Sequence, residues 1–197
     1  NSCSRRTFQL GNDITLAEDW EAIGARIDFA GTFVGNGHTL TYKDAKQPLF
    51  GNVSGRVSDV AVTGTGKVDG GIASILNGGT IEDCRVKSGS SFEGGDFAGG
   101  IVGRVTQPNG TISGCRIEDG VSISGGSYVG GIAGGVTGQG GTAVIENCEV
   151  GAATIKGAGC SDNPADNKGA GGLGGILGYG AGTIRGCMAN ASVEAGR

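Results

Sequence analysis

Residues 81–84 read Ile-Glu-Asp-Cys, and this Ile-x-x-Cys pattern returns three more times along the chain. The later copies begin at Ile112, Ile145 and Ile184, so that successive cysteines lie 31, 33 and 39 residues apart. A pattern that recurs at such intervals is typical of proteins built from stacked repeats, in which each repeat fills the same structural role. The sequence therefore predicts a repeat architecture for most of its 197 residues.

A glycine pattern accompanies the cysteines. Gly-Gly-Ile begins the segments 99–103, 130–134 and 174–178, and a degraded copy occupies residues 70–74. The distance from the cysteine to the isoleucine of this pattern is 17 residues in the first two complete copies and 28 in the third. We interpret the additional 11 residues as one inserted loop, placed at residues 157–169.

Each Ile-x-x-Cys window is short and alternates between apolar and polar residues, as β-strands do. Strict alternation would place Ile81 and Cys84 on opposite faces of one strand. Either a bend separates two short strands, so that both residues face inward, or one strand carries a bulge; we favour the bend. Helices are disfavoured, because glycine costs about 1 kcal/mol relative to alanine in a helix interior, and only residues 16–23 favour a short one.

Repeats of this length, with two or three short strands and no crossover helix, are poorly suited to a doubly wound sheet. If the chain winds as a coil, each repeat becomes one rung whose strands pair in parallel with neighbouring rungs, about 4.8 Å away. The sequence thus predicts an all-β fold, a right-handed parallel β-helix (solenoid) of about six rungs. We expect one domain over residues 1–197, with introductory N-terminal rungs at 1–54 and repeated rungs at 55–190. We also expect a longer parent protein, because residues 192–194 read as an incomplete rung.

In this arrangement the cysteines of the repeats stack as a ladder in the core, one per rung, at Cys84, Cys115, Cys148 and Cys187. Cysteine serves there as a small, polarizable core residue. Stacked rungs place the thiols in a line, whereas zinc requires ligands that converge as a tetrahedron, so we assign no metal site. Cys3 and Cys160 stand outside the ladder, and the sequence leaves their redox state open.

The composition excludes several classes of protein. The formal net charge is −4 and Lys and Arg are scattered, so nucleic acid is not an expected partner. No stretch approaches the roughly 18 apolar residues of a membrane helix, so we expect no membrane insertion of this segment. The chain has 44 glycines but only 3 prolines, which excludes a collagen-like structure.

Candidate catalytic residues are few. The outward positions of equivalent repeats, such as Glu82, Arg85 and Glu149, do not form the paired carboxylates that glycoside hydrolysis requires. The single histidine, His38, has no obvious carboxylate or nucleophile partner in the sequence, so we interpret it as a turn residue. The zinc-peptidase motif HExxH is absent, and we expect no catalytic residue and no cofactor.

Weak candidates for a binding site lie in the inserted loop. They are its polar residues Asp162, Asn163, Asp166 and Lys168. Their spacing does not match the calcium-binding loop of an EF-hand, so we interpret the loop as a solvated segment and predict no metal there.

The N-terminal third carries a series of short motifs. They read Asp-Ile-Thr-Leu at 13–16, Trp-Glu-Ala-Ile-Gly at 20–24, Phe-Ala-Gly-Thr-Phe at 29–33, Gly-Asn-Gly-His-Thr at 35–39 and Leu-Phe-Gly at 49–51. This order, followed by the Ile-x-x-Cys and Gly-Gly-Ile repeats, resembles the GLUG-motif repeat proteins over residues 7–188. These are bacterial surface and secreted proteins, and similar repeats occur in non-catalytic regions of M26-type IgA peptidases.

The resemblance implies a right-handed parallel β-helix displayed outside a bacterial cell, without catalytic residues. The chain departs from the family pattern at Val34, where Asp is frequent, and in the inserted loop. Only the second departure bears on binding.

Three functions from different classes stay open. The leading one is a non-catalytic extracellular repeat module of a bacterial surface or secreted protein, with an adhesion or spacer role. The second is a carbohydrate-binding or carbohydrate-cleaving β-helix, which requires an acidic or aromatic groove that the sequence does not reveal. The third is an accessory region of an IgA-type metallopeptidase. A host or matrix protein or a glycan is the expected partner, at the cell surface or outside the cell.

Overall fold

Short strands make up the computed structural model, which describes residues 6–106, 108–138, 143–158 and 171–196. Within those ranges the chain forms four sheets and no helix. Sheet A contains β1 (Thr7–Gln9), β3 (Thr32–Val34), β6 (Arg56–Ser58), β9 (Thr80–Glu82), β14 (Thr111–Ser113), β19 (Ala143–Glu146) and β24 (Gly182–Arg185). Sheet B contains β2 (Ile14–Leu16), β4 (Thr39–Ala45), β7 (Ala61–Gly66), β10 (Arg85–Val86), β11 (Ser91–Glu93), β15 (Arg116–Ile117), β16 (Ser122–Gly125), β20 (Glu149–Val150), β21 (Thr154–Gly157), β25 (Met188–Ala189) and β26 (Ser192–Ala195).

The two remaining sheets come from the glycine-rich half of each repeat. Sheet C contains β5 (Phe50–Val53), β8 (Ala73–Leu76), β13 (Val102–Val105), β18 (Ala133–Val136) and β23 (Leu177–Tyr179). Sheet D contains β12 (Phe97–Gly99), β17 (Tyr128–Gly130) and β22 (Gly172–Gly174).

Equivalent residues of successive repeats pair directly with one another. In sheet A, Ile81 pairs with Ile112, Ile112 with Ile145, and Ile145 with Ile184. These pairings are parallel, as are the others among the described strands. The structure therefore confirms the predictions of an all-β chain and of repeats stacked in register. It is the strand arrangement of a solenoid-like fold.

A left-handed residue separates sheet A from sheet B in each repeat. The residue before the cysteine has φ of 52° at Asp83, 61° at Gly114, 54° at Asn147 and 60° at Gly186. This single residue reverses the alternation of the side chains, so that Ile81 and Cys84 are both fully buried. The predicted bend between two short strands is thus confirmed, and its position is occupied by Asp, Asn or Gly, the residue types that adopt this conformation most readily.

The short helix predicted at residues 16–23 is wrong. Strand β2 ends at Leu16, and the following residues form turns and an isolated bridge between Ile23 and Phe50. The Ile23 N–H donates to Leu49 O at 3.0 Å, and the Trp20 indole N–H donates to Pro48 O at 3.1 Å. Pairing with the next rung overrides the weak helical preference of this stretch.

The first glycine of each Gly-Gly-Ile pattern faces a backbone carbonyl from three residues further on. A Cβ atom on Gly70, Gly99, Gly130 or Gly174 would lie 2.0 to 2.1 Å from that oxygen. The chain therefore folds sheet D back onto sheet C with no room for any side chain at this point. The first glycine of the pattern is therefore required because two backbone segments approach closely there, and not because the chain must be flexible.

The core is a narrow column of aliphatic side chains with a few aromatic rings at its N-terminal end. Phe29, Phe33 and Phe50 stack there with ring centroids 5.0 to 5.3 Å apart. Tyr42 is fully buried, and its hydroxyl donates to Gly71 O at 2.8 Å and accepts from the Leu49 N–H at 2.7 Å. At the other end, Ile184 is 47 % exposed, whereas its equivalents one to three repeats earlier are buried.

Candidate binding groove

Three open hollows follow one another along the corner where the chain leaves sheet B. The first has a volume of about 480 Å³ and is lined by residues 17–20, Lys46 and Gln47. The second, of about 400 Å³, shares Glu18 and Lys46 with the first and extends over Asp44, Thr65, Gly66, Lys67, Ser91 and Glu93. The third, of about 680 Å³, shares Glu93 with the second and continues over the corners at 94–96, 124–126 and 156–158. Because neighbouring hollows share residues, they form a line along the stacking direction, which we call the corner groove.

The sequence leaves this corner open by placing glycine at or just after the ends of β7, β11, β16 and β21. Gly66, Gly94, Gly125 and Gly157 provide no side chain to fill the corner. Strand β4 contributes a bulge between Lys43 and Ala45, where the register with β7 shifts. A bulge bends the strand and redirects its side chains, which here brings Asp44 and Lys46 to the groove.

Asp44 occupies the left-handed region with φ of 53°, a conformation that Asp tolerates better than most residues. Its carboxylate oxygen Oδ1 accepts a hydrogen bond from the Thr65 hydroxyl at 2.8 Å. The bulge is therefore held by a contact to the next rung.

Trp20 forms one end of the groove. Its ring packs against the hydrophobic core, and its N–H is engaged by Pro48 O, so its orientation is fixed from two sides. The neighbouring Gln47 is also fixed, because its side-chain oxygen accepts a hydrogen bond from the Ala22 N–H at 3.1 Å. The indole thus offers a fixed apolar wall with its only donor already used.

Charged groups of both signs alternate along the groove. Lys46 Nζ lies 2.8 Å from Glu18 Oε1, and this hydrogen bond raises the pKa of Lys46 above its ordinary value. The pair is about two-thirds exposed, so it contributes little to folding stability. Lys67 and Glu93 form no ion pair or side-chain hydrogen bond with any of the described residues. These two side chains are therefore available to a ligand.

His38 has a carboxylate neighbour that the sequence did not reveal. Its Nδ1 lies 3.3 Å from Asp13 Oδ1, and the same oxygen accepts the Thr39 N–H at 2.8 Å. The Thr39 N–H bond, followed by the His38 contact, lowers the pKa of Asp13. His38 is a hydrogen-bonded turn residue, as the sequence predicts, since its backbone N–H donates to Gly35 O at 3.0 Å, but its pairing with Asp13 was not predicted. The pair ties the segment before β2 to the start of β4, while the Thr39 hydroxyl is engaged by Lys87 Nζ at 2.9 Å.

The four ladder cysteines all carry free thiols. Cys84, Cys115 and Cys148 are buried, and Cys187 is partly exposed at the last rung. Each thiol lies 3.2 to 3.4 Å from the carbonyl oxygen two residues earlier, to which it donates a weak hydrogen bond. Among the described residues there is no group of three or more His, Cys, Asp or Glu that could hold a metal ion.

Contacts between thiols and burial raise the pKa values of Cys115, Cys148 and Cys187 above the ordinary thiol value. The contact with Cys115, followed by burial, raises the pKa of Cys148, and burial raises that of Cys187. For Cys115, the contact with Cys148 lowers the pKa, but the contact with Cys84 and burial raise it by more. Because these pKa values are raised in the folded state, the corresponding stability is present below the ordinary thiol pKa of about 8.5 and is lost as the pH rises beyond it.

Replacing Cys115 by serine should lower the free energy of unfolding by about 1–2 kcal/mol, because a hydroxyl costs more to bury than a thiol. Replacing Cys115 by valine should cost less than about 1 kcal/mol, because Val60 already occupies the equivalent position one repeat before Cys84. Urea denaturation of both variants measures the difference. Cys187→Ser at the partly exposed rung is the control and should cost less than Cys115→Ser. A serine variant at 115 as stable as the parent chain would contradict the assignment of the ladder to the core.

An aromatic stack lies where sheets C and D meet. Phe97 and Tyr128 have ring centroids 4.8 Å apart, Tyr128 and Tyr179 have centroids 4.6 Å apart, and the Arg104 guanidinium lies 5.3 Å from the centre of the Phe97 ring. The Phe97 ring covers Gly135, where a Cβ atom would lie 2.6 Å from it. The Phe97 and Tyr128 rings thus pack against each other and Phe97 packs on bare backbone, while the outer ring of the stack, Tyr179, is 50 % exposed.

The sequence-predicted binding candidates Asp162, Asn163, Asp166 and Lys168 lie outside the described residues, as do Cys3 and Cys160. The sequence did not identify the corner groove. The residues of its first two hollows come from four separate segments, at 17–20, 44–47, 65–67 and 91–93, and three of these precede the regular Ile-x-x-Cys repeats. Among the described residues, no helix is long and apolar enough to cross a membrane.

Comparisons with known proteins bear on the fold. No protein-family model matches the chain, and no curated protein matches it. A solved structure from Bacteroides ovatus, described as a "putative immunoglobulin A1 protease", matches with a TM-score of 0.74 and 24 % sequence identity. The match covers 96 % of this chain and 60 % of that one, so the chain spans less than two-thirds of the length of this structural neighbour. At this identity the likeness establishes a shared fold.

Proposed function

We propose that this chain is a non-catalytic repeat module of a bacterial surface or secreted protein, folded as a right-handed parallel β-helix of about six rungs. Its role is adhesion or spacing outside the cell, with a glycan or a host or matrix protein as partner. The observation that carries the proposal is the in-register stacking of equivalent residues, which extends from β1 to β24 across sheet A. Such stacking produces a stiff scaffold with long side faces, the property that solenoids use for binding.

The outer faces of the sheets support a non-catalytic role. Arg85, Arg116 and Glu149 lie in register on sheet B, and Arg116 forms an ion pair with Glu149 at 3.3 Å. On sheet A, Glu146 forms an ion pair with Arg185, and Glu82 forms one with Arg56. Each of these carboxylates contacts an arginine of a neighbouring repeat rather than a second carboxylate, whereas glycoside hydrolysis requires a pair of carboxylates.

The protein context that fits best is an accessory region of an IgA-type metallopeptidase or of a GLUG-type surface protein. The fold of the Bacteroides ovatus structure supports the first of these contexts, since nearly the whole of the present chain aligns with part of that longer protein. Neither context requires chemistry from this module, nucleic acid, or insertion into a membrane.

The proposal is tested with the purified chain. We expect saturable binding to immobilised mucin or extracellular-matrix protein, and we expect immunoglobulin A1 to stay intact after prolonged incubation, as judged by gel electrophoresis. A Gly99→Ala preparation, purified in parallel, controls for contaminating proteases, because this substitution is expected to disrupt the fold. Cleavage of immunoglobulin A1 by the parent chain but not by this control would show that the module is catalytic, and absence of binding to every surface would reject the adhesion role.

A further inference from the structure

We propose that the corner groove binds an extended, uncharged oligosaccharide between Trp20 and Glu93, across the Glu18–Lys46 ion pair. This inference deepens the proposed adhesion function, on which it rests, by naming the class of partner and its site. It uses only the first two hollows, whose lining residues lie between positions 17 and 93.

The charged residues that line the groove disfavour the binding of a charged ligand. The second hollow is lined by three carboxylates, at Glu18, Asp44 and Glu93, and by two ammonium groups, at Lys46 and Lys67. An anionic ligand would meet the carboxylates, and a cationic ligand would meet the ammonium groups at similar distance. Sugar hydroxyls both donate and accept hydrogen bonds, so they can satisfy both kinds of group at once.

The remaining lining adds further groups of the same kind. The Ser91 hydroxyl lies beside Glu93 in the second hollow, and the Thr65 hydroxyl is oriented by Asp44. Hydrogen bonds to charged groups are stronger than bonds between neutral groups, so Lys67 and Glu93, which have no partner among the described residues, are expected to contribute most. They are the residues that a test must change.

Trp20 provides the apolar surface that sugar rings require. A pyranose presents C–H groups on its faces, and a fixed indole whose N–H is already engaged offers a complementary apolar wall. The ring is held by core packing, so little side-chain entropy is lost when a ligand binds.

The shape of the groove favours an extended ligand. Successive rungs lie about 4.8 Å apart, which is close to the length of one sugar residue in an extended β-linked chain. The two hollows together offer roughly 900 Å³, within the range of ligand sites in proteins. Consecutive sugars of one chain can therefore contact consecutive rungs.

The chain contains one tryptophan, so its fluorescence reports on this site without any labelling. The experiment titrates the protein with the neutral hexasaccharides of cellulose, xylan and chitin, and with hexagalacturonate as a charged comparison. We expect at least one neutral hexasaccharide to change the emission of Trp20 in a saturable manner. Its affinity should be about tenfold or more above that of hexagalacturonate, a difference of about 1.4 kcal/mol.

Variants locate the ligand. Lys67→Ala and Glu93→Gln should each weaken binding of the neutral saccharide at least fivefold, because the first removes an ammonium donor from the second hollow and the second replaces a charged acceptor by a neutral amide. The matched control is Arg85→Ala, an exposed cation on the outer face of the same sheet that lies outside the groove lining, and it should bind as the parent chain does.

Three results would overturn the inference. They are an unchanged Trp20 emission with all neutral hexasaccharides, tighter binding of hexagalacturonate, and binding that Lys67→Ala and Glu93→Gln leave unaltered. If one of these is found while the chain still binds mucin or matrix protein, the groove assignment fails and the adhesion function stands. If a hexasaccharide is bound and also shortened, as detected by mass spectrometry, the groove assignment holds and the non-catalytic function fails.

Discussion

Replacing Gly99 by alanine should cost more than about 4 kcal/mol of folding free energy, a large fraction of the roughly 5–15 kcal/mol by which native proteins are stable. The added Cβ atom would lie 2.1 Å from Val102 O, 2.8 Å from Ala133 Cα and 2.8 Å from Gly134 N. All three atoms belong to the backbone, so no side chain can move aside to relieve the overlap. Circular dichroism should show an unfolded chain or a melting temperature lowered by more than about 10 °C.

Gly11→Ala is the matched control for this experiment. No atom lies within 4 Å of a Cβ atom at that position, and its φ is not left-handed. The same substitution there should leave stability unchanged or raise it by about 0.4–1 kcal/mol, because alanine restricts the unfolded chain. A Gly99→Ala variant that melts within a few degrees of Gly11→Ala would show that sheets C and D do not approach as closely as described.

Replacing Tyr42 by phenylalanine should cost about 2–4 kcal/mol, since it removes one hydroxyl and leaves two buried backbone groups without a partner. The Leu49 N–H and the Gly71 carbonyl both lose their hydrogen bond to this hydroxyl. The ring itself stays in place, packed edge-on against Phe92 with a centroid distance of 5.7 Å. Urea denaturation should show a lower midpoint with an unchanged m-value.

Tyr128→Phe is the matched control. It separates the effect of losing two hydrogen bonds on stability from the effect of removing a hydroxyl group alone. The Tyr128 ring lies in the aromatic stack, and its hydroxyl has no hydrogen-bond partner among the described residues. This control should change stability by less than about 0.5 kcal/mol. Equal midpoints for the two variants would contradict a role for Tyr42 as the polar link between neighbouring rungs.

The features that recur in every repeat could be predicted from the sequence, because the same pattern can be compared among several copies. The spacing of Ile81 and Cys84 was incompatible with strict alternation in every copy, which left a bend or a bulge, and the left-handed residues at Asp83 and Asn147 supply the bend that we favoured. The register of the isoleucines followed from the same comparison. The role of the first Gly of Gly-Gly-Ile could not be derived, since it depends on how closely two sheets approach.

The corner groove and the His38–Asp13 pair could not be predicted from the sequence, for a different reason. Asp13 and His38 are 25 residues apart, and Trp20 and Glu93 are separated by several rungs. Such contacts are set by the register between non-identical N-terminal rungs, for which the sequence offers no repeated pattern to compare. The weak helical preference at residues 16–23 was misleading in the same region, because pairing of Ile23 with the next rung determines its conformation.

The backbone hydrogen bonds that join one repeat to the next all point along the direction of stacking. Tension applied between the two ends of the molecule would therefore act on these bonds lengthwise, one layer after another, rather than across many of them in shear. Since each layer contacts only its neighbours, rupture would proceed by peeling from whichever end is least covered. A stack of this kind would unfold one layer at a time under tension, and each lost layer could refold by pairing again with the layers that stay folded.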